Sequence, residues 1–117
     1  MPAINFKEQF AELVKSDKKR QTIRRVRKRP IVKGDVLYLY TGQRTKNSRS
    51  LGVAVCEEVI PITILSDGIK IDGSGRMGYL NYLNDFAQAD GFEDWKDMIA
   101  WFDKQYKLPF EGVLIQW

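Results

Sequence analysis

Lys19-Arg20-Gln21-Thr22-Ile23-Arg24-Arg25-Val26-Arg27-Lys28-Arg29-Pro30, followed by Lys33-Gly34-Asp35 and then Val36-Leu37-Tyr38-Leu39-Tyr40, is the stretch on which the fold turns. Gln21 to Arg27 has the alternation of a strand, with Thr22 and Arg24 on one face, Val26 next in step, and Ile23 and Arg25 on the other. Pro30 ends it, Lys33-Gly34-Asp35 makes a turn, and Val36 to Tyr40 is β-forming and apolar on both faces. A strand apolar on both faces must be covered on both. That requirement suits a small barrel with a helix packed outside it.

Outward from this centre, Asn5 to Lys15 reads as an amphipathic helix. Asn5 is its cap, Glu8 closes a capping box, and Phe6, Phe10, Leu13 and Val14 fall at helical spacing. Thr41 to Ser50 is a polar loop carrying Arg44, Lys46 and Arg49. Leu51 to Leu65 is β-forming with an interruption at Pro61, and Ser66-Asp67-Gly68 turns it into the alternating Ile69-Lys70-Ile71-Asp72. After the Gly73-Ser74-Gly75 break, helices are expected over Leu80 to Ala89 and Phe92 to Tyr106, with a closing strand from Gly112 to Trp117. The 117 residues contain no repeat or linker and suit one domain, 1–117. The expected class is α+β: a small, mostly antiparallel β-barrel with helices packed around it.

Composition excludes several chemistries. There is no histidine, so a Ser-His-Asp triad, a Cys-His dyad and any His-ligated metal are ruled out. The single cysteine, Cys56, has no intramolecular disulfide partner and stands beside Val53, Ala54 and Val55 as a core thiol. Asp90, Asp94 and Asp97 have no supporting ligands, so no metal and no cofactor is expected. The N-terminus is charged within eight residues and lacks an apolar signal region, and no apolar run approaches the roughly 20 residues of a spanning helix. A soluble cytoplasmic protein with no membrane partner is expected.

The net charge of +4 averages two unlike regions. From Lys15 to Lys33 there are ten bases against one acid, whereas from Glu57 onward there are eleven acids against five bases. A basic block this dense, rich in Arg and ordered by Ile23 and Val26, suits phosphate better than a merely solvated surface does. The candidate anion-binding residues are Arg20, Arg24, Arg25, Arg27, Lys28 and Arg29, with Arg44, Lys46 and Arg49 on the loop. Tyr79 and Tyr82, beside the glycine break, are the candidates for base stacking. Tyr38 and Tyr40, and the stripe Trp95, Phe102 and Tyr106, are better read as core, with Trp101 off the stripe and exposed. Gly73-Ser74-Gly75-Arg76 is a weak phosphate-loop signal and more often a plain turn.

Lys19-Arg20-Gln21-Thr22-Ile23-Arg24 followed by Lys33-Gly34-Asp35-Val36-Leu37 resembles the signature of the ASCH domains, small PUA-like β-barrels. The likeness extends to Leu51-Gly52-Val53-Ala54, to Phe86-Ala87 with Asp90-Gly91-Phe92, and to Phe110-Glu111-Gly112. The resemblance implies a cleft lined by the Lys/Thr/Arg strand and an association with RNA or nucleotides. Some members of that family are N4-acetylcytidine amidohydrolases, and others are described as ribonucleases. Carried over to this chain, it makes Lys19 a base, Thr22 a positioning group and Asp90 a proton shuttle. Asp90 stands where the family's amidohydrolase carries Glu, and the run from Arg24 to Arg29 is more cationic than that enzyme's strand. The expected function is an RNA- or nucleotide-binding module. Its partners would be RNA, single-stranded nucleic acid or a modified nucleoside, and the alternative is a lysine-dependent hydrolase.

Overall fold

A computed structural model describes residues 2–71 and 80–117, with the backbone alone for residues 80–82. The chain is α+β, and the described residues form seven strands in two sheets and three helices. Strands β1 (Ala3–Phe6), β3 (Val36–Thr41) and β4 (Arg49–Val55) form one sheet in the order β1-β3-β4. β2 (Gln21–Arg24), β5 (Glu58–Leu65), β6 (Gly68–Ile71) and β7 (Phe110–Gln116) form the other, ordered β2-β7-β5-β6. Pairing is antiparallel except between β1 and β3, where Ile4 lies opposite Leu39. No closed barrel is formed among the described residues.

The helices are α1 (Glu8–Lys15), α2 (Leu80–Ala89) and α3 (Trp95–Tyr106). The first departs from the sequence reading, because residues 3–6 are a strand and helix begins only at Glu8. The Asn5–Glu8 capping box is not made. Asn5 Oδ1 accepts from the Gln43 amide at 2.9 Å, and Glu8 turns to Arg49 and Thr41. Phe6 remains a core side chain but reaches the core from β1. α3 starts three residues later than its apolar spacing suggests, because Asp94 caps it by accepting from Asp97 N at 2.8 Å. The long β stretch breaks at Cys56-Glu57 rather than at Pro61, which lies inside β5 opposite Val113. β2 ends at Arg24, three residues short of the expected strand, and β7 begins at Phe110.

Two helix ends carry most of the positioning. At the end of α1 the Lys18 amide donates to Leu13 O at 2.9 Å and the Asp17 amide to Val14 O at 3.2 Å, with Asp17 at φ 64. At the end of α2 the Phe92 amide donates to Ala87 O at 2.9 Å and the Gly91 amide to Gln88 O at 3.0 Å, with Gly91 at φ 96. Both are Schellman turns, in which a left-handed residue reverses the chain and satisfies the last carbonyls. The first delivers Lys19 to the start of β2, and the second leaves Asp90 at the C-cap of α2. β2 then runs close against β7, where a Cβ at Gly112 would collide with the Arg24 carbonyl. The core gathers between the sheets and helices, with Ile4, Leu37, Ile64, Met98 and Phe102 among its most buried members.

Candidate functional site

Lys19 and Asp90 meet in the interior, with side chains 3% and 5% exposed and the ammonium 3.4 Å from Oδ1. The same ammonium donates to the backbone carbonyl of Asp90. Helix geometry explains the arrangement. The C-terminus of α2 presents partial negative charge, which disfavours a carboxylate and attracts a cation. Lys19 supplies that cation and lies over the rings of Phe10 (5.1 Å) and Phe6 (5.9 Å). Gln21 donates to Asp90 Oδ1 at 3.5 Å, and Gln116, its cross-strand partner, donates in turn to Gln21 Oε1 at 3.5 Å.

Burial drives the pair toward neutrality from both sides. It pushes the Lys19 ammonium below its ordinary value, against the pull of Asp90, and it pushes the Asp90 carboxyl up, against Lys19 and Gln21. Two groups whose proton affinities are drawn together are suited to passing a proton between them.

Thr22 and Arg24 complete the group. The Arg24 Nε–H donates to Thr22 Oγ1 at 3.0 Å and its Nη2 donates to the Asn5 carbonyl at 2.8 Å. Its guanidinium lies 5.0 Å from the Phe6 ring centroid, and burial lowers its proton affinity. Lys19, Thr22, Arg24 and Asp90 all line one cavity of about 190 Å³. Its remaining wall is largely aromatic: Phe6, Phe10, Phe92, Trp101 and Tyr106. Asn5, Phe6 and Lys7 also line a wider groove of about 760 Å³, which extends along loop residues 42–48 to Arg49.

Three lining residues escape the sequence reading. Trp101 is half-buried, with its ring 6.0 Å from Phe10 and 5.6 Å from Phe92, where a stripe reading of α3 leaves it in solvent. Tyr106, expected in the core, is 37% exposed and stands at the rim. Lys7 carried no motif, and it lies with Nζ 5.8 Å from the Trp101 ring centroid. The signal available for Trp101 was its place beside Phe102, which widens the aromatic face of the helix beyond one stripe.

The other candidates do not converge on this cavity. Arg20 points to a separate groove, donating to the Trp117 carbonyl at 2.9 Å. Arg25 lies over the rings of Tyr106 and Phe110, and Arg27 donates to the Ala3 carbonyl at 2.6 Å. Lys28, Arg29, Arg44 and Lys46 are exposed, and Arg49 pairs with Glu8 at 2.9 Å. The basic block is therefore not one continuous face, because strand alternation stops at Arg24 and the residues after it turn in different directions. Tyr79, Asp72 and the segment Gly73-Ser74-Gly75-Arg76 lie outside the described residues, as does the side chain of Tyr82. Cys56 is buried, as expected of a core thiol, and burial raises its proton affinity. Among the described residues no three His, Cys, Asp or Glu side chains gather as metal ligands would, and no helix is long and apolar enough to cross a membrane. Comparison of the chain with protein-family models, with curated proteins and with solved structures finds no match.

Proposed function

We propose that the protein is an RNA- or nucleotide-binding module of the PUA-like, ASCH kind, which takes one base into the 190 Å³ cavity and leads the attached sugar-phosphate along the adjoining groove. The observation that carries this reading is the cavity itself. Lys19, Thr22, Arg24 and Asp90 supply polar groups inside a ring of aromatic side chains. Its volume matches a single six-membered ring with a small substituent, since an engineered cavity of about 150 Å³ accepts benzene. Stacking on aromatic walls stabilises a bound base by roughly 1–3 kcal/mol. Outside the cavity, Lys7 and Arg49 line the groove and give the phosphates positive charge to follow.

The test is a titration with short single-stranded RNA and with mononucleotides, read by calorimetry at several salt concentrations. The expected result is saturable binding whose affinity falls steeply with salt, in proportion to the phosphates neutralised. Absence of binding at low salt overturns the reading.

A second reading, hydrolysis of an N4-acylated cytidine, is favoured by the buried lysine beside a carboxyl. In it Lys19, as the free amine, takes a proton from water as the water oxygen bonds to the acyl carbon. The Thr22 hydroxyl donates to the oxyanion. Asp90, protonated, gives its proton to the departing ring amine as the C–N bond breaks, which yields a carboxylate and the nucleoside. Turnover of N4-acetylcytidine that disappears in a folded Lys19→Ala variant supports this route. Equal background in both proteins removes it.

A further inference from the structure

We infer that the ring held in this cavity bears a negative charge of its own, on the ring or on a group attached directly to it, so that the ligand is a planar anion of pyrimidine size. The inference rests on the cavity being a base site and adds the charge of its occupant. The charged side chains lining the cavity are Lys7, Lys19, Arg24 and Asp90. The single carboxylate is paired with Lys19 at 3.4 Å and also acts through space on Arg24, so one negative charge is shared between two cations. The ion pairs among the described residues are Lys19–Asp90 and Arg49–Glu8, and neither includes Arg24.

Arg24 is thus a half-buried cation set against an aromatic ring with only neutral oxygens as partners, the Thr22 hydroxyl and the Asn5 carbonyl. Holding such a charge away from water with no counter-ion in contact is costly, since the Asp90 carboxylate acts on it only from a distance, and an anion placed against it recovers that cost. The guanidinium also has five N–H donors, of which those two bonds use two. Its planar fork matches a carboxylate attached to a flat ring. A nucleotide whose only charge is a phosphate beyond the sugar would carry that charge out into the groove, and Arg24 would gain no counter-ion in contact. The cavity's size and the excess of positive charge in its lining together therefore specify where on the ligand the charge sits.

Three probes separate the cases by calorimetry on the intact protein: uracil, which is neutral, orotate, which is the same ring bearing a carboxylate, and uridine 5′-monophosphate, whose charge is remote from the ring. Orotate is expected to bind about tenfold or more tightly than uracil, the worth of one hydrogen bond to a charged group. Arg24→Gln is expected to abolish that preference, so that the variant binds orotate no more tightly than uracil. Arg24→Lys, which keeps the charge, is expected to retain part of it, and it serves where the glutamine variant does not fold. Equal affinity for uracil and orotate overturns the inference and leaves the base site standing. The inference is also overturned if Arg24→Gln weakens uridine 5′-monophosphate as much as it weakens orotate, because the partner of Arg24 is then the remote phosphate. If none of the three binds, the base-site reading falls and takes the inference with it.

Discussion

The two ion pairs among the described residues, Lys19–Asp90 and Arg49–Glu8, differ in length in one direction and in consequence in the other. Arg49 and Glu8 are closer, at 2.9 Å against 3.4 Å, but their side chains are 47% and 75% exposed. Water and salt already solvate both charges, so an exposed pair of this kind stabilises by about 0–1 kcal/mol. Lys19 and Asp90 are almost wholly out of water, where each is tolerable chiefly because the other is present. One pair decorates a surface, and the other is a mutual dependence inside a cavity. Burial, rather than proximity, decides which of them the fold relies on.

The largest way to break this contrast is Lys19→Met, expected to cost about 3–5 kcal/mol in urea unfolding because it strands a buried carboxyl. The sign of its pH dependence follows from Asp90, whose proton affinity burial already raises above 3.8 and which loses its opposing cation. A raised carboxyl contributes stability below 3.8 that is lost as pH rises through its folded value. The variant should therefore lie nearest the parent in acid and furthest from it near neutrality. A deficit that does not vary with pH would show that lost packing, not a stranded charge, is responsible.

Asp90→Asn should cost less, about 2–3 kcal/mol, because the lysine keeps the backbone carbonyl of residue 90 as a partner. Its slope should run the opposite way. Lys19 is already lowered from 10.5 by burial and falls further without the carboxylate, so the penalty is full below its folded value and fades as pH climbs toward 10.5. Opposed slopes from the two halves of one pair would sharpen the comparison more than either loss alone.

Gly91→Ala tests the turn that holds the pair. A Cβ there would lie 3.0 Å from Phe10 Cδ1 and 3.2 Å from Lys19 Cδ, on a backbone at φ +96. The expected loss is about 1–2 kcal/mol, read as a lowered Tm. Smallest of all, Glu8→Gln should change stability by under about 1 kcal/mol, and raising the salt should erase the difference.

What the sequence made legible follows the range of the forces involved. The bounds of α2, the turn before Val36 and the Ser66-Asp67 hairpin are local matters of periodicity and turn chemistry, and they stand as read. β1 was illegible because Phe6, Phe10 and Leu13 keep helical intervals across a strand-to-helix junction. Asn5 and Glu8 look like a cap until partners more than thirty residues away claim both side chains. In the site, Lys19, Thr22, Arg24 and Asp90 carried a motif and do meet. Lys7 and Trp101 acquire their positions only from the packing of α1 and α3 beside β2. The basic block misled in a different way. Charge density along a chain predicts a shared face only while regular structure lasts, and here the strand ends at Arg24.

The four-stranded sheet has a temporal consequence. One of its two interior positions, between β2 and β5, belongs to β7, the last of the described strands. Gln21 finds its ladder partner in Gln116, ninety-five residues downstream. A ribosome therefore releases β2, bearing Thr22 and Arg24, long before the strand that must hold it exists. Contacts of such long sequence separation make for slow folding. Thr22 and Arg24 therefore cannot take their places in the ladder until residues 110–116 have been made.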